Sequence, residues 1–265
     1  MATIKEIYNV IDQFAPFHTQ LGFDNAGFLV GHGKRTVTKV LVALDITQQV
    51  VQEAKEMGAE LVVSHHPVIF HPVKALTDET NTGAILLHLA EAGIGAICAH
   101  TNLDAVTGGV NDCLARVLEL TEVEQLAQDG VDEQGQPYGI GRVGSAHTKG
   151  LSAMDYAAYA KERLGAASVR VVDSGRTVSY VAVGGGSCGS MLQEAVQMGC
   201  DTFVTADVKY DQFLEAKALG INLMDAGHFA TENVVCAPLA AHLKQAMPEL
   251  VVQVSQQHRE VYHGI

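Results

Sequence analysis

The chain has 265 residues, of which 48% are apolar and 18% charged, and its formal net charge is −13. That length and composition exclude disorder and a solvated coiled coil, and they suffice for one large or two medium domains without disulfides. The acidic balance makes nucleic acid and anionic lipid unlikely bulk partners, and the low charged fraction hints at extra surface buried between subunits.

Thr3 and Glu6 form a capping box ahead of Ile4, Ile7, Val10, Ile11 and Phe14, so a helix starts there and Pro16 stops it. A Gly-rich turn, Asp24-Asn25-Ala26-Gly27, follows. Val37 to Ile46 reads as a strand, and Thr47 caps a helix that Gly58 ends. Leu61 to Ser64 is a short buried strand running into His65-His66-Pro67. A helix from about Gly83 to Ala92 leads to a strand, Ile94 to Ala99, which ends at His100. The second half predicts strands at Ser179 to Val183, Thr202 to Thr205 and Asn222 to Asp225. Helices are expected at about Gly189 to Met198, Val208 to Ala218 and Phe229 to Met247. The polar, aperiodic stretch Gln128 to Gln136 between the halves is the best candidate for a hinge or hairpin loop.

Strands alternating with helices of this length predict an α/β fold with largely parallel mixed sheets. The halves also resemble each other. Gln52-Glu53-Ala54-x-x-Met57-Gly58 matches Gln193-Glu194-Ala195-x-x-Met198-Gly199, and His100-x-x-x-Asp104 matches His228-x-x-x-Glu232. Chance likeness of helix-Gly-strand units is the plain alternative, but identities and a charged pair coincide here, which favours internal duplication. The expectation is two similar α/β domains, 1–125 plus 229–265 and 126–228, with a ligand crevice at the strand ends between them.

The chemistry-bearing residues gather at those strand ends. His65 and His66 leave a buried strand directly before Pro67, whose turn can aim both imidazoles at one point or at two neighbouring ions. Taken alone, the pair reads equally well as surface histidines. His100 with Asp104, and His228 with Glu232, repeat an i, i+4 spacing that puts imidazole and carboxylate on one helical face. A helix cap and a surface ion pair are their ordinary readings. Three strand ends delivering histidine or histidine plus carboxylate favour a metal site over three accidents. A nitrogen and oxygen set without sulfur suits zinc, iron, manganese, cobalt or nickel, and five or six ligands exceed what one tetrahedral ion needs. Two ions fit a hydrolytic centre.

Other signals are weaker. Gly184-Gly185-Gly186-Ser187 can cradle an anion at a helix start, though a tight turn is the commoner meaning, and the pattern supports neither a dinucleotide site nor a P-loop. Asp45 can be a cap or a partner of a ligand. Lys209, Tyr210 and Asp211 read as a solvated helix face that can touch substrate. Cys188 lies near a helix start but has no dedicated base in view, so it is not assigned as a nucleophile. Five cysteines with no C-x-x-C pair fit neither a disulfide framework nor a thiolate zinc knuckle, and they predict a reducing, cytoplasmic setting. The start MATIKEIYNV is no secretory signal, and no run of ~18 apolar residues predicts a membrane span.

With these motifs together, Asp24-Asn25-Ala26-Gly27, Ser64-His65-His66-Pro67, His100-Thr101-Asn102-Leu103-Asp104, the glycine turn at 184–187 and Asp225-Ala226-Gly227-His228-Phe229-Ala230-Thr231-Glu232, the chain resembles the GTP cyclohydrolase 1 type 2-like family, also called the NGG-interacting-factor-three-like proteins. The resemblance covers nearly the whole chain. It implies two divalent ions per chain (zinc, iron or manganese) held by His65, His66, Asp104, His228 and Glu232, the last bridging. It places His100 beside the site as an auxiliary ligand or proton-transfer group. It also implies homo-oligomers, dimers or ring-shaped hexamers. Phe23 departs from a Trp frequent in the family, and Ala206 and Asp211 stand where a Gly and a second His are usual; these departures touch substrate contacts rather than metal ligands.

Two functions follow as expectations. One is a dinuclear metal-dependent hydrolase of a small nucleotide-like or phosphorylated substrate, the family name pointing to GTP ring opening by water attack at C8 of guanine, with His100 shuttling the proton. The other is a non-enzymatic metal-binding scaffold or regulator acting through protein partners.

Overall fold

The computed structural model describes residues 2–131, 135 and 137–264. Residues 132–134 and 136 of the polar stretch between the halves lie outside the described residues; on its two sides Gly130–Val131 and Pro137–Tyr138 pair antiparallel. The chain divides into two compact units, Met1–Leu103 with Cys236–Arg259, and Asp104–Val235 with Glu260–Ile265. The division thus falls at Leu103 and not near residue 125, because Leu120–Gln125 pairs with Arg142–Ala146 in the second unit's sheet.

In the first unit the sheet runs in the order Val251–Val254, Lys39–Ala43, Leu61–Ser64, Gly95–Cys98, Gly27–Val30. Its first four strands are parallel and the last is antiparallel. The near-continuous Val, Leu and Ile runs explain this, because a parallel sheet is covered on both faces. Leu41, Val62 and Ala96 pack with Val50, Val51 and Ala54 of the helix Gln48–Met57 and with Leu89 of Asn81–Ala92. Thr47 accepts from the Val50 amide at one end of the first of these helices, and Gly58 at φ 68° closes the other. The capping box of Thr3 and Glu6 is present on Ile4–Phe14. The strand expected from Val37 to Ile46 is divided into Thr36–Val37 and Lys39–Ala43. There the Glu60 carboxylate accepts from the Thr38 and Lys39 amides at 3.0 and 2.9 Å.

The second unit's sheet runs Arg170–Val172, Asn222–Asp225, Thr202–Thr205, Tyr180–Val183, Arg142–Ala146, Leu120–Gln125. Only its three central strands are mutually parallel; the three flanking pairings are antiparallel. The segment Phe229 to Met247 is not one helix. It breaks into His228–Glu232, a 3-10 turn Asn233–Val235, and Cys236–Ala246. Pro238 has no amide to give the Val234 carbonyl, so an unbroken helix cannot pass through it undisturbed. No helix among the described residues is long and apolar enough to cross a membrane.

Candidate metal centre

In the first unit the strand Leu61–Ser64 delivers His65 and His66, and the strand Gly95–Cys98 delivers His100 at the start of the one-turn helix Thr101–Ala105. Adjacent parallel strands end at the same sheet edge, so the three imidazoles meet there. Their ring centroids lie 5.0 to 5.5 Å apart, and each ring offers a nitrogen within 4.8 Å of the others. His65 is 1% exposed.

The orientation of each ring is fixed from behind. His65 Nδ1 stands 2.9 Å from the Ala99 carbonyl, His66 Nδ1 2.8 Å from Asp45 Oδ1, and His100 Nδ1 2.7 Å from Asp24 Oδ1. A carbonyl and a carboxylate only accept, so Nδ1 is the donor in all three rings, and Nε2 is left as the nitrogen that could meet a metal. This backing of a ligating histidine by an oxygen acceptor is the usual support for metal-binding imidazole. Asp45 is itself held, its second oxygen 2.9 Å from His258 Nε2. Asp24 also accepts from the Thr101 amide at 3.0 Å and the Thr101 hydroxyl at 2.5 Å. Burial works against the Asp24 charge, but the His100 and Thr101 hydrogen bonds outweigh it and hold the carboxyl down at about 2. Asp45 is lowered in the same way: burial opposes its charge, and the His258 and His66 hydrogen bonds overcome it.

In the second unit Asp104, His228 and Glu232 come together. His228 Nε2 lies 2.9 Å from Glu232 Oε2, and Asp104 and Glu232 offer carboxylate oxygens within 4.8 Å of each other. Both carboxylates are buried, at 7% and 4% exposure. Two carboxylates this close inside a protein stay ionised together only with a cation beside them; otherwise one of them takes up a proton. His228 Nδ1 is 2.6 Å from Asp207 Oδ2, so both its nitrogens face carboxylates. Such a ring either takes a second proton or shares a cation with Glu232. In each unit a carboxylate at the exit of one strand holds Nδ1 of an imidazole at the exit of its parallel neighbour: Asp45 with His66, and Asp207 with His228.

The surrounding chain keeps these groups in place. The Asn111 amide donates to the Asp104 carbonyl at 2.9 Å. The buried Arg142 pairs with Asp112 and donates to the Ala105 and Val106 carbonyls just beyond Asp104. The glycine turn is not an anion cradle, because the Gly184, Gly185 and Gly186 amides are spent on Val204 O, Asn111 Oδ1 and Thr231 Oγ1. Its role is clearance: a Cβ on Gly186, whose φ is +63°, would sit 2.0 Å from Glu232 Oε1. Burial and the Asp104 and Glu232 charges push the Cys188 thiol far up, so it is no thiolate nucleophile. Lys209, Tyr210 and Asp211 form an exposed helix start.

Of the residues singled out in the sequence, His65, His66 and His100 stand together in the first unit, and in the second Glu232 lies close to His228 and to Asp104. The supporting residues Asp207 and His258 were not foreseen. Asp207 carried a faint signal as a polar residue two positions past a buried strand, and it adopts φ 51°, which Asp tolerates better than most. His258 carried none, since it reaches Asp45 from 213 residues away.

A mixed α/β chain whose strand exits carry backed imidazoles and buried carboxylates presents a nitrogen and oxygen donor set of the kind that could hold a metal ion. More specifically, it is a member of the Duf34/NIF3 (NGG1p interacting factor 3) family, whose sequence model matches residues 2–260. It is 34% identical over 245 residues to the GTP cyclohydrolase 1 type 2 homolog of Clostridium perfringens, covering 92% of each chain. It is 33% identical over 233 residues to the GTP cyclohydrolase 1 type 2 of Helicobacter pylori, covering 88% of each. Among solved structures, a Staphylococcus aureus hypothetical protein superposes with TM-score 0.92 at 30% identity, over 99% of both chains. A Bacillus cereus protein related to NIF3 shares the fold at TM-score 0.93 and 23% identity, over 100% of this chain and 99% of that one.

Proposed function

We propose that this chain is a dinuclear metal-dependent hydrolase of a small nucleotide-like or phosphorylated substrate, and that His65, His66, Asp104, His228 and Glu232 together hold two divalent ions. The observation carrying this reading is the backing of four imidazoles at Nδ1, by Ala99, Asp45, Asp24 and Asp207, which commits each Nε2 to a ligand or a proton. Chain connectivity supports a single centre: His100 immediately precedes, and Asp104 lies within, the one-turn helix Thr101–Ala105. Two buried carboxylates beside an imidazole are a fit for divalent cations, and the donor types suit zinc, iron or manganese. Such ions supply Lewis acidity, making water acidic near neutral pH and neutralising charge on the reacting group.

The residues of the chain do the rest. Asp24 keeps the His100 proton on Nδ1, so His100 Nε2 takes a proton from the attacking water and returns it to the leaving nitrogen or oxygen. Asp45 and Asp207 keep His66 and His228 from turning. The names of the relatives, GTP cyclohydrolase 1 type 2 and its homologs, favour a guanine nucleotide as substrate. A homo-oligomeric, cytoplasmic protein is part of the same reading.

The test is elemental analysis of protein purified without chelator or affinity metal, followed by turnover of a nucleotide and phosphoester panel. The expected result is about two ions per chain, with turnover abolished by His66→Ala. Metal-loaded protein inert across the panel, or equal turnover by His66→Ala, contradicts the proposal.

A further inference from the structure

The loop joining the strand Leu61–Ser64 to the helix Asn81–Ala92 supplies His65 and His66 at its start and then builds a cavity of about 570 Å³ within the first unit. Phe70 lines that cavity and also meets the His100 ring edge-on, at 6.1 Å between centroids and 83° between planes. Phe23 packs edge-on against Phe70 at 6.4 Å and 70°. Phe23 is 66% exposed and Phe70 40%. A lone exposed Phe is ordinary, but two in contact, one of them lining a cavity and meeting the His100 ring, leave an aromatic surface in water that a ligand would cover.

Three consecutive residues hold this surface in register. Phe23 packs on Phe70, Asp24 accepts from His100, and the Asn25 side-chain amide donates to the Ile69 carbonyl at 2.6 Å. The aromatic pair is therefore tied to the imidazole it flanks. Lys74 lines the same cavity, as does Glu79. In a chain of net charge −13, a lysine on a cavity wall is a local departure from the prevailing sign.

We propose that Phe70 and Phe23 form a stacking platform for the base of a purine nucleotide, beside His100, with Lys74 meeting its phosphates. The inference rests on the hydrolase reading for the identity of the base, guanine, and adds the subsite that selects it. Stacking suits this geometry because a heteroaromatic base presents a flat π-face to an aromatic side chain whatever its edges carry. The cavity has the volume range of small-ligand sites. Glu79 on the wall offsets part of the lysine charge, so the base contributes more to binding than the phosphates do.

The chain contains no tryptophan, so Phe70→Trp installs a single fluorescent reporter in the platform. In the His66→Ala background, where no turnover consumes the ligand, guanosine and GTP should both quench that reporter saturably, and inorganic tripolyphosphate should not. Adding Lys74→Ala should weaken GTP several-fold and leave guanosine unchanged. By calorimetry on the protein with its own Phe70, Phe70→Ala should lose about tenfold in GTP affinity while circular dichroism stays unchanged. No quenching by either purine, or equal GTP affinity in Phe70→Ala, overturns the platform. Quenching in a protein that turns over nothing keeps the platform and removes the hydrolase. Turnover with an unchanged KM in Phe70→Ala removes the platform and keeps the hydrolase.

Discussion

In the first unit three imidazoles stand together and the carboxylates Asp24 and Asp45 lie behind them, whereas in the second unit two buried carboxylates stand in front beside a single imidazole. The difference is one of charge. In the first unit the three rings pack with centroids 5.0 to 5.5 Å apart, each held at Nδ1 by an oxygen acceptor. Asp104 and Glu232 repel each other at close range inside the protein, so the second unit gains most from a cation. Metal binding should therefore stabilise the second unit more than the first, and substitutions should divide along the same line.

The largest effect is expected at Glu232. Glu232→Gln keeps the shape and removes the charge, so it should cost metal occupancy outright while raising the thermal stability of metal-free protein. Elemental analysis and melting curves with and without chelator check both signs; unchanged occupancy would break the comparison. Gly186→Ala comes next. Its Cβ would press on Glu232 Oε1 from a left-handed backbone, and a loss of about 2 kcal/mol in urea unfolding is expected. Ser187→Ala, next door and outside that contact, serves as the control and should be near neutral.

Behind the first unit's rings the effects are smaller. Asp45→Asn should weaken metal binding by roughly 10–100-fold, the usual range for a group that orients a ligating histidine. His258→Gln, one step further back, should lose less, and a metal titration followed by competition with a chelator ranks the two. Asp24 gives a pH signature. Its folded carboxyl titrates near 2, below an unfolded value close to 3.8, so the stability it contributes is present above about pH 4 and disappears as pH falls toward 2. Wild type should therefore exceed Asp24→Asn by up to about 2 kcal/mol at pH 5, with the gap closing by pH 2. A gap that stays constant across this range would contradict the assignment.

The parts of this molecule legible in the sequence are those fixed by short-range chemistry. The Thr3 and Glu6 capping box, the Thr47 to Gly58 helix and the buried Leu61–Ser64 strand are local patterns, and they stand as read. The histidines and carboxylates were legible because they sit at strand exits, where period and turn signals converge. The parts that escaped depend on distant pairing. Leu120–Gln125, mostly exposed, has no buried run to announce it as an edge strand. Val251–Val254 joins the first sheet only because the chain returns to it after residue 235. The break before Cys236 was carried by Pro238, whose missing amide outweighs the helical periodicity around it. His258 reaches Asp45 across almost the whole chain, and no window of sequence contains both.

The central claim is that the imidazole set and the carboxylate set serve one pair of ions. Anomalous diffraction from crystals of metal-loaded protein tests it directly. Two peaks about 3.5–4 Å apart, with His65 or His66 and Glu232 bound to the same ion, are the predicted result. Ions bound by the donors of one unit alone would contradict it.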